Sequence, residues 1–206
     1  MVKQITKAEP AEEQVSIEVA RLHLRLDEEL EGSPAGHPDD ELIKILIAAA
    51  REQAESYTGL SVVNREHVLT IDRFKGSYIE LEVWPVTAIT EVTYFDSDGV
   101  EQVWASDQYR LDNASRPARL YPGDEGWPTT KMRENAVKVT FDAGFTVGSP
   151  NTLPMPKVLL QAMLLIIGHL YENRQDVIHT NRTGGQLELP MGSIFLMTPH
   201  RIDMGM

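Results

Sequence analysis

The segment Asp96-Ser97-Asp98-Gly99 has the residue types with which a calcium-binding loop begins, because Ca²⁺ prefers carboxylate oxygens as ligands. A loop of that kind places its glycine sixth and a glutamate twelfth. Here the glycine is fourth, and the twelfth position is Asp107. An Asp-Gly pair between two apolar runs is typical of a hairpin turn. We therefore predict a turn between two strands rather than a calcium site.

The pair Glu80 and Glu82 could supply the two carboxylates of a glycosidase, since residues two apart on a strand point to the same face. The same spacing is typical of the solvated face of a sheet, which is the interpretation that we favour. The histidines show no metal-ligand spacing, and His169 is predicted to be a hydrogen-bonded histidine of the core or of an interface. The six histidines are His23, His37, His67, His169, His179 and His200.

Motifs of the common enzyme classes do not occur in this sequence. It lacks a nucleophile elbow, a zinc-protease motif, a phosphate-binding P-loop and a dinucleotide-binding glycine motif. It contains no cysteine, which excludes disulfides, thiolate metal sites and cysteine nucleophiles. These observations predict a protein that is not an enzyme and that carries neither a metal nor a cofactor.

The charge of the chain restricts its partners. Its 206 residues include 31 acidic and 19 basic side chains, for a net charge of −12. Binding of nucleic acid through counterion release needs clustered Lys and Arg, so this class of function is disfavoured. Hydrophobic residues make up 42% and charged residues 24%, which excludes disorder of the whole chain. Residues 1–10 lack the apolar core of a signal peptide, and the longest apolar stretch, residues 158–170, is too short and too interrupted for a membrane span.

Hydrophobic periodicity predicts three helices. The first begins at the N-cap Ser16, although alternating leucines near its end leave a short strand open there. The second runs from Asp39 or Asp40 to Gly59, which is placed to end it as a C-cap glycine. The third covers residues 158–173 after two prolines, and it is apolar on nearly every side. Such a helix must be buried in a core or against another subunit.

Residues 62–143 alternate short β-branched and aromatic runs with turn residues, which predicts a mainly antiparallel sheet in a sandwich or a barrel. The predicted fold class is α+β: a small helical bundle of N- and C-terminal helices with an inserted, mainly antiparallel β-module. We expect a helical part over residues 1–60, the β-module over 61–150, and a C-terminal helix with a terminal arm over 151–206. The terminal helices are too few to bury their own apolar stripes, so they should pack together.

The C-terminal arm follows residues 175–186, which show no periodicity. A short apolar segment beyond such a stretch is either a strap folded back on its own domain or an arm that docks on a partner. The sequence leaves both options open. The apolar side chains that would make the contact are Leu187, Leu189, Ile194, Phe195, Leu196 and Met197.

The chain contains, in order, the segments SIEVARLHLRLD (16–27), DDELIKILIAAAREQAESYTG (39–59), ITEVTYFDSDGVEQ (89–102), YRLDN (109–113), the pair Trp127-Pro128, AVKVTFDAGF (136–145), VLLQAMLLIIGHLYENRQ (158–175) and LPMGSIFLMTPHRI (189–202). This ordered set spans almost the whole chain. It resembles the head–tail connector (adaptor) proteins of tailed bacteriophages.

The resemblance implies a structural protein without catalytic residues. Members of this family assemble as a ring beneath the portal, with twelve copies expected, and join the DNA-filled capsid to the tail. The implied partners are copies of the chain itself, the portal protein and a head-closure or tail protein. Our own hypothesis is that the C-terminal arm, if it is a docking arm, docks on the portal. Double-stranded DNA would pass through the ring without specific binding, and no membrane is involved. The implied location is the neck of the virion, and the host cytoplasm during assembly.

The net negative charge then has a mechanistic interpretation. An acidic channel wall repels phosphates and does not hold the DNA, although simple solubility of the monomer explains the charge equally well. One alternative is another neck protein, for head closure or tail completion, but such proteins are often mostly β. A less favoured alternative is a β-module that binds a ligand or acts as a hydrolase, which would need a convergent polar cluster.

Overall fold

The computed structural model describes residues 3–26, 37–146, 153–174 and 191–202. Within these residues the chain forms four α-helices and eight strands in two antiparallel sheets, which confirms the predicted α+β fold. The helices are α1 (Ile17–Leu24), α2 (Asp40–Thr58), α3 (Lys157–Glu172) and α4 (Met191–Met197). The strands are β1 (Lys3–Lys7), β2 (Arg65–Ile71), β3 (Ile79–Leu81), β4 (Val86–Phe95), β5 (Glu101–Val103), β6 (Tyr109–Asp112), β7 (Ala118–Pro122) and β8 (Val137–Ala143).

The described residues group into two compact units. The strand unit consists of residues from 1–11, 59–152 and 202–206, and the helical unit consists of residues from 12–58 and 153–201. The helical unit is thus formed by two stretches of chain that lie on either side of most of the strand unit in the sequence.

The two sheets of the strand unit share one apolar core. The larger sheet has the strand order β1-β2-β8-β4-β5, and the smaller has the order β3-β7-β6. Burial alternates along β2 and β8, as expected for strands with one face on a core. Leu69 lies opposite Val139 in the larger sheet, and Leu81 lies opposite Ala118 in the smaller one. All four side chains belong to the same buried cluster.

The predicted hairpin at residues 96–99 is present as the connection between β4 and β5. One Asp96 carboxylate oxygen accepts the backbone N–H of Asp98 at 3.0 Å and that of Val100 at 2.9 Å. The other accepts the Gln102 side-chain amide at 2.9 Å. These hydrogen bonds, the one from Gln102 foremost, hold the pKa of Asp96 below its ordinary value. The carboxylate therefore closes the turn.

The sequence analysis did not predict the first strand. Residues of β1 pair with β2 in antiparallel register, with Ile5 opposite Leu69, so β1 forms one edge of the larger sheet. The segment is mostly polar, and an edge strand needs only one apolar side for packing. Its pairing is decided by the neighbouring strand rather than by its own composition.

The core of the helical unit lies around α3, which packs against α1, α2 and α4. Most of its apolar residues are buried, among them Leu159, Met163 and Ile167. Gly168 lies close to His23 of α1, since a β-carbon at this glycine would be 3.3 Å from the imidazole Nε2. In the part of the chain that the structure describes, no helix is long and apolar enough to span a membrane.

Candidate interaction surfaces

Glu80 lies in β3 of the small sheet, whereas Glu82 follows the end of that strand. Glu80 lies 3.9 Å from the Arg119 Nε on β7, and the Arg119 guanidinium lies over the ring of Tyr78 at 4.6 Å. The ion pair is partly exposed. No group of three or more histidine, aspartate or glutamate side chains that could hold a metal ion occurs within the described ranges.

His169 lies in the last turn of α3, with its Nδ1 3.4 Å from the side-chain amide nitrogen of Asn173. The same amide nitrogen donates to the carbonyl oxygen of His169 at 2.8 Å. The imidazole therefore contacts the side chain of Asn173, four residues later, at the C-terminal end of α3.

A serine and a histidine that the sequence analysis did not bring together lie in contact in the strand unit. Ser61 Oγ is 3.1 Å from His67 Nε2, as in a nucleophile and its general base. However, both residues are buried, the Ser61 hydroxyl donates to the Val63 carbonyl at 2.9 Å, and the imidazole stacks on Phe141. A buried serine whose proton is already donated to the backbone cannot meet a substrate, so the contact is structural.

The predicted C-terminal arm is described only in part. Leu187 and Leu189 lie outside the described residues. Met197 is fully buried, Ile194 and Leu196 are half-buried, and Phe195 is 78% exposed. One side of α4 therefore packs within the helical unit, while Phe195 points to solvent.

Met191 extends the exposed side of α4, and the sequence analysis missed it. It is 83% exposed and precedes Phe195 by four residues, so the two side chains lie on one helix face. The opposite face carries the fully buried Ser193 and Met197. The i, i+4 spacing was the signal that could have found Met191. We call Met191 and Phe195 the α4 surface.

A second exposed apolar pair lies on α1. Leu22 is 79% exposed, and Val19 is also exposed three residues earlier. Residues three apart share a helix face, so α1 presents an apolar stripe to solvent as well. Large apolar side chains left outside a folded unit are typical of surfaces that bind another protein.

A polar network joins the starts and ends of three helices in the helical unit. At the start of α2, Asp40 accepts hydrogen bonds from the Arg21 guanidinium of α1, one of them from Nε at 2.8 Å. Asp39 accepts the hydroxyl of Tyr171 at 2.5 Å and a guanidinium nitrogen of Arg174 at 2.8 Å. These contacts hold the pKa of Asp39 and of Asp40 below the ordinary aspartate value.

Acid is expected to weaken the helical unit through this network. A carboxylate whose pKa is depressed by folding stabilises the protein above its unfolded pKa, and this contribution disappears as the pH falls through the folded pKa. We expect the free energy of unfolding to decrease as the pH is lowered below about 4. The variant Asp39→Asn should show a smaller decrease over the same pH range. Urea unfolding followed across the acid range measures it. Asp124→Asn, at an exposed aspartate of the strand unit, is the control, and an equal reduction there would contradict the prediction.

The fold defines an α+β protein in which a helical unit and an antiparallel strand unit are formed by interleaved stretches of chain. No model of a known protein family and no curated protein matches the sequence. Solved structures do match.

Three of these structures come from gene transfer agent particles, and each match covers 98% of this chain and 97% of the other. A chain in the neck of an empty particle, computed with C6 symmetry, has a TM-score of 0.77 at 20% sequence identity. A chain in the virion of the native particle has a TM-score of 0.74 at 22% identity. A chain in the neck of the native particle, computed with C12 symmetry, has a TM-score of 0.68 at 23% identity. The chain therefore has the fold of neck components of a phage-like particle, in agreement with the resemblance to head–tail connectors.

Proposed function

We propose that the chain is a structural protein of the neck of a tailed-phage-like particle and acts there as the head–tail connector. The observation that carries the proposal is the shared fold over nearly the full length of both chains in each comparison. A match of both units at once is more specific than a match of a helical bundle or a sheet alone. The proposal assigns no catalytic step to the chain.

In this proposal copies of the chain form a closed ring beneath the portal, with twelve copies as the expected number. The C12 symmetry of one neck structure with the same fold supports that number. Neighbours in a ring meet through two different patches of the same chain, and a stable contact buries at least about 1,000 Å². The exposed apolar pair on α1, Val19 and Leu22, is available for such a contact. The tail-side face would bind a head-closure or tail protein.

The proposed ring lines the DNA channel. The net charge of −12 supports a wall that does not hold the duplex, because acidic side chains repel phosphates and release no counterions on contact. We expect acidic side chains from residues 1–150 to face the lumen. The protein would act in the virion neck after assembly in the host cytoplasm.

Electron microscopy of the protein mixed with its portal tests the assignment directly. The expected result is a ring on the tail side of the portal, with a lumen that is predominantly acidic. A ring with a basic lumen contradicts the channel interpretation. Binding only to a later neck or tail component, and never to the portal, would favour the head-closure or tail-completion alternative.

The α4 surface is the proposed contact with the portal. Replacing Met191 and Phe195 with serine is expected to weaken portal binding by about tenfold or more, since exposed aromatic anchors carry much of the energy of an interface. Stability should change by less than about 0.5 kcal/mol per residue, because both side chains are exposed. Pull-down with the portal and thermal unfolding measure the two effects.

Val100→Ser, at an exposed position of the strand unit, serves as the control for this surface. Point substitutions are preferred to removal of α4, because the fully buried Met197 would be lost with the helix. Undiminished portal binding by the double variant would contradict the proposed contact.

A further inference from the structure

Two loops of the strand unit gather basic side chains in a chain that is otherwise acidic. Arg73 and Lys75 lie between β2 and β3, and Lys131 and Arg133 lie between β7 and β8. All four are exposed. We call these four residues the basic platform. Three of them, with Asp72, Met132 and Glu134, line an open cavity of about 460 Å³, which shows that the two loops are adjacent.

The first loop is held in place by an aromatic anchor. Phe74, between the two cations, stacks on the ring of Trp127 with centroids 4.8 Å apart. It also packs against Trp104 at 5.4 Å and Tyr94 at 6.0 Å. The indole N–H of Trp127 donates to the Gly76 carbonyl at 2.7 Å. Arg73 and Lys75 therefore flank a residue that is fixed in the aromatic cluster.

The second loop is tied to the first and to the hairpin. The Asn135 backbone N–H donates to Asp72 Oδ1 at 3.3 Å, and the Lys131 N–H donates to the Phe95 carbonyl at 3.0 Å. The Arg133 guanidinium lies 4.1 Å from the centroid of the Phe95 ring. Cations on an anchored backbone lose less entropy on binding than cations on a free loop. The platform is thus organised before any partner arrives.

The platform cations outnumber the two carboxylates, Asp72 and Glu134, that line the same cavity. Among the described residues, no carboxylate forms an ion pair with Arg73, Lys75 or Lys131. Other cations of this unit do have acidic partners, as in the Arg119–Glu80 and Lys138–Glu101 pairs. The platform is therefore a positive surface available to an acidic partner.

Met132 indicates that this partner is a protein. Its side chain is 91% exposed beside Arg133. Arginine and methionine are both enriched in protein interfaces, where a central apolar side chain becomes buried inside a polar rim. Contact with DNA phosphates would leave the methionine without a role, and a net charge of −12 opposes approach to DNA.

We propose that the basic platform binds a carboxylate-rich surface of a second copy of this chain. The inference rests on the proposed ring and assigns one of its two interface patches. Copies with a charge of −12 repel one another, so closing a ring requires a place where the charges are complementary. The platform supplies that place.

Charge reversal tests the proposal on the full chain. We expect Arg73→Glu with Arg133→Glu to weaken self-association, measured by analytical ultracentrifugation, by about tenfold or more. Self-association of the unchanged protein should also weaken between about 0.05 M and 0.5 M NaCl, because salt screens exposed charges. Lys44→Glu with Lys157→Glu, at exposed lysines of the helical unit, is the control with the same change in net charge. Circular dichroism and thermal unfolding verify that both variants fold.

An equal effect of the two double variants would overturn the proposal, since net charge alone would then explain it. So would a protein that stays monomeric at low salt, or one whose platform instead retains duplex DNA in a filter-binding assay. Incorporation into necks separates this result from the proposed function. If the unchanged chain and the platform variant are incorporated into necks equally well, the interface assignment is wrong while the proposed function stands.

Discussion

Replacing Gly144 with alanine is expected to lower the free energy of unfolding by about 3 kcal/mol or more. Gly144 has φ +131, which side chains rarely adopt, and a β-carbon there would overlap the Val63 carbonyl and the Asn64 nitrogen. Two backbone hydrogen bonds hold these segments close together. The Gly144 N–H donates to the Pro85 carbonyl at 2.8 Å, and the Asn64 N–H donates to the Phe145 carbonyl at 2.9 Å. Both neighbours are backbone, so neither can move without breaking a hydrogen bond.

Denaturant and thermal unfolding measure this loss, which corresponds to a decrease in Tm of about 6–12 °C. Gly126→Ala is the matched control. Gly126 also has a positive φ, of +77, but no atom lies within 4 Å of the position of an added β-carbon. Only the backbone strain remains there, about 1 kcal/mol. Equal losses for the two variants would show that the contact with Val63 is not what requires a glycine at position 144.

Replacing Arg51 with methionine is expected to destabilise the helical unit by about 3 kcal/mol. The Arg51 side chain is 2% exposed, and its Nε donates to Glu13 at 2.9 Å. Its guanidinium also lies 3.6 Å from Glu55, which is 5% exposed, and 3.8 Å from Glu52. Methionine keeps most of the apolar volume of arginine but removes the charge that neutralises the buried Glu55. The cost therefore comes from the loss of a buried, charged partner of Glu55 rather than from lost packing.

Two further measurements identify that cause. Adding Glu55→Leu to Arg51→Met should recover much of the stability, because replacing both partners of a buried ion pair with apolar residues costs much less than removing one of them. Lys44→Ala, which breaks an exposed pair with Glu41 at 2.7 Å, should cost less than about 1 kcal/mol. If Arg51→Met is no more costly than Lys44→Ala, the buried cluster does not stabilise the unit.

The hairpin at residues 96–99 could be predicted from the sequence because turn chemistry is local. Asp96 and Gly99 predicted a hairpin, and the structure confirms it through hydrogen bonds within a few residues. The contact between Ser61 and His67 could not be predicted in the same way. That contact depends on the path of the backbone between Ser61 and β2. The burial of His67 depends on Phe141, which lies in the neighbouring strand β8 but more than seventy residues later in the sequence.

The α4 surface was predicted in part. Apolar composition identified Phe195, but burial divided the segment into two faces that composition alone could not separate. Met197 faces the helical unit, while Met191, outside the predicted set, joins Phe195 in solvent. The basic platform was not predicted at all, because its two halves lie more than fifty residues apart and the net charge conceals them.

By itself the sequence determined the helices α1 to α3 and the antiparallel character of the sheets, because periodicity, caps and turn residues act over a few positions. The resemblance to head–tail connectors came from the ordered set of segments along the whole chain. Only the tertiary structure decided that the polar segment Lys3–Lys7 becomes an edge strand, that Gly144 must remain without a side chain, and that cations from two distant loops form one surface. The reason is physical: pairing, close approach and charge clustering depend on which distant residues meet, and that information belongs to the fold.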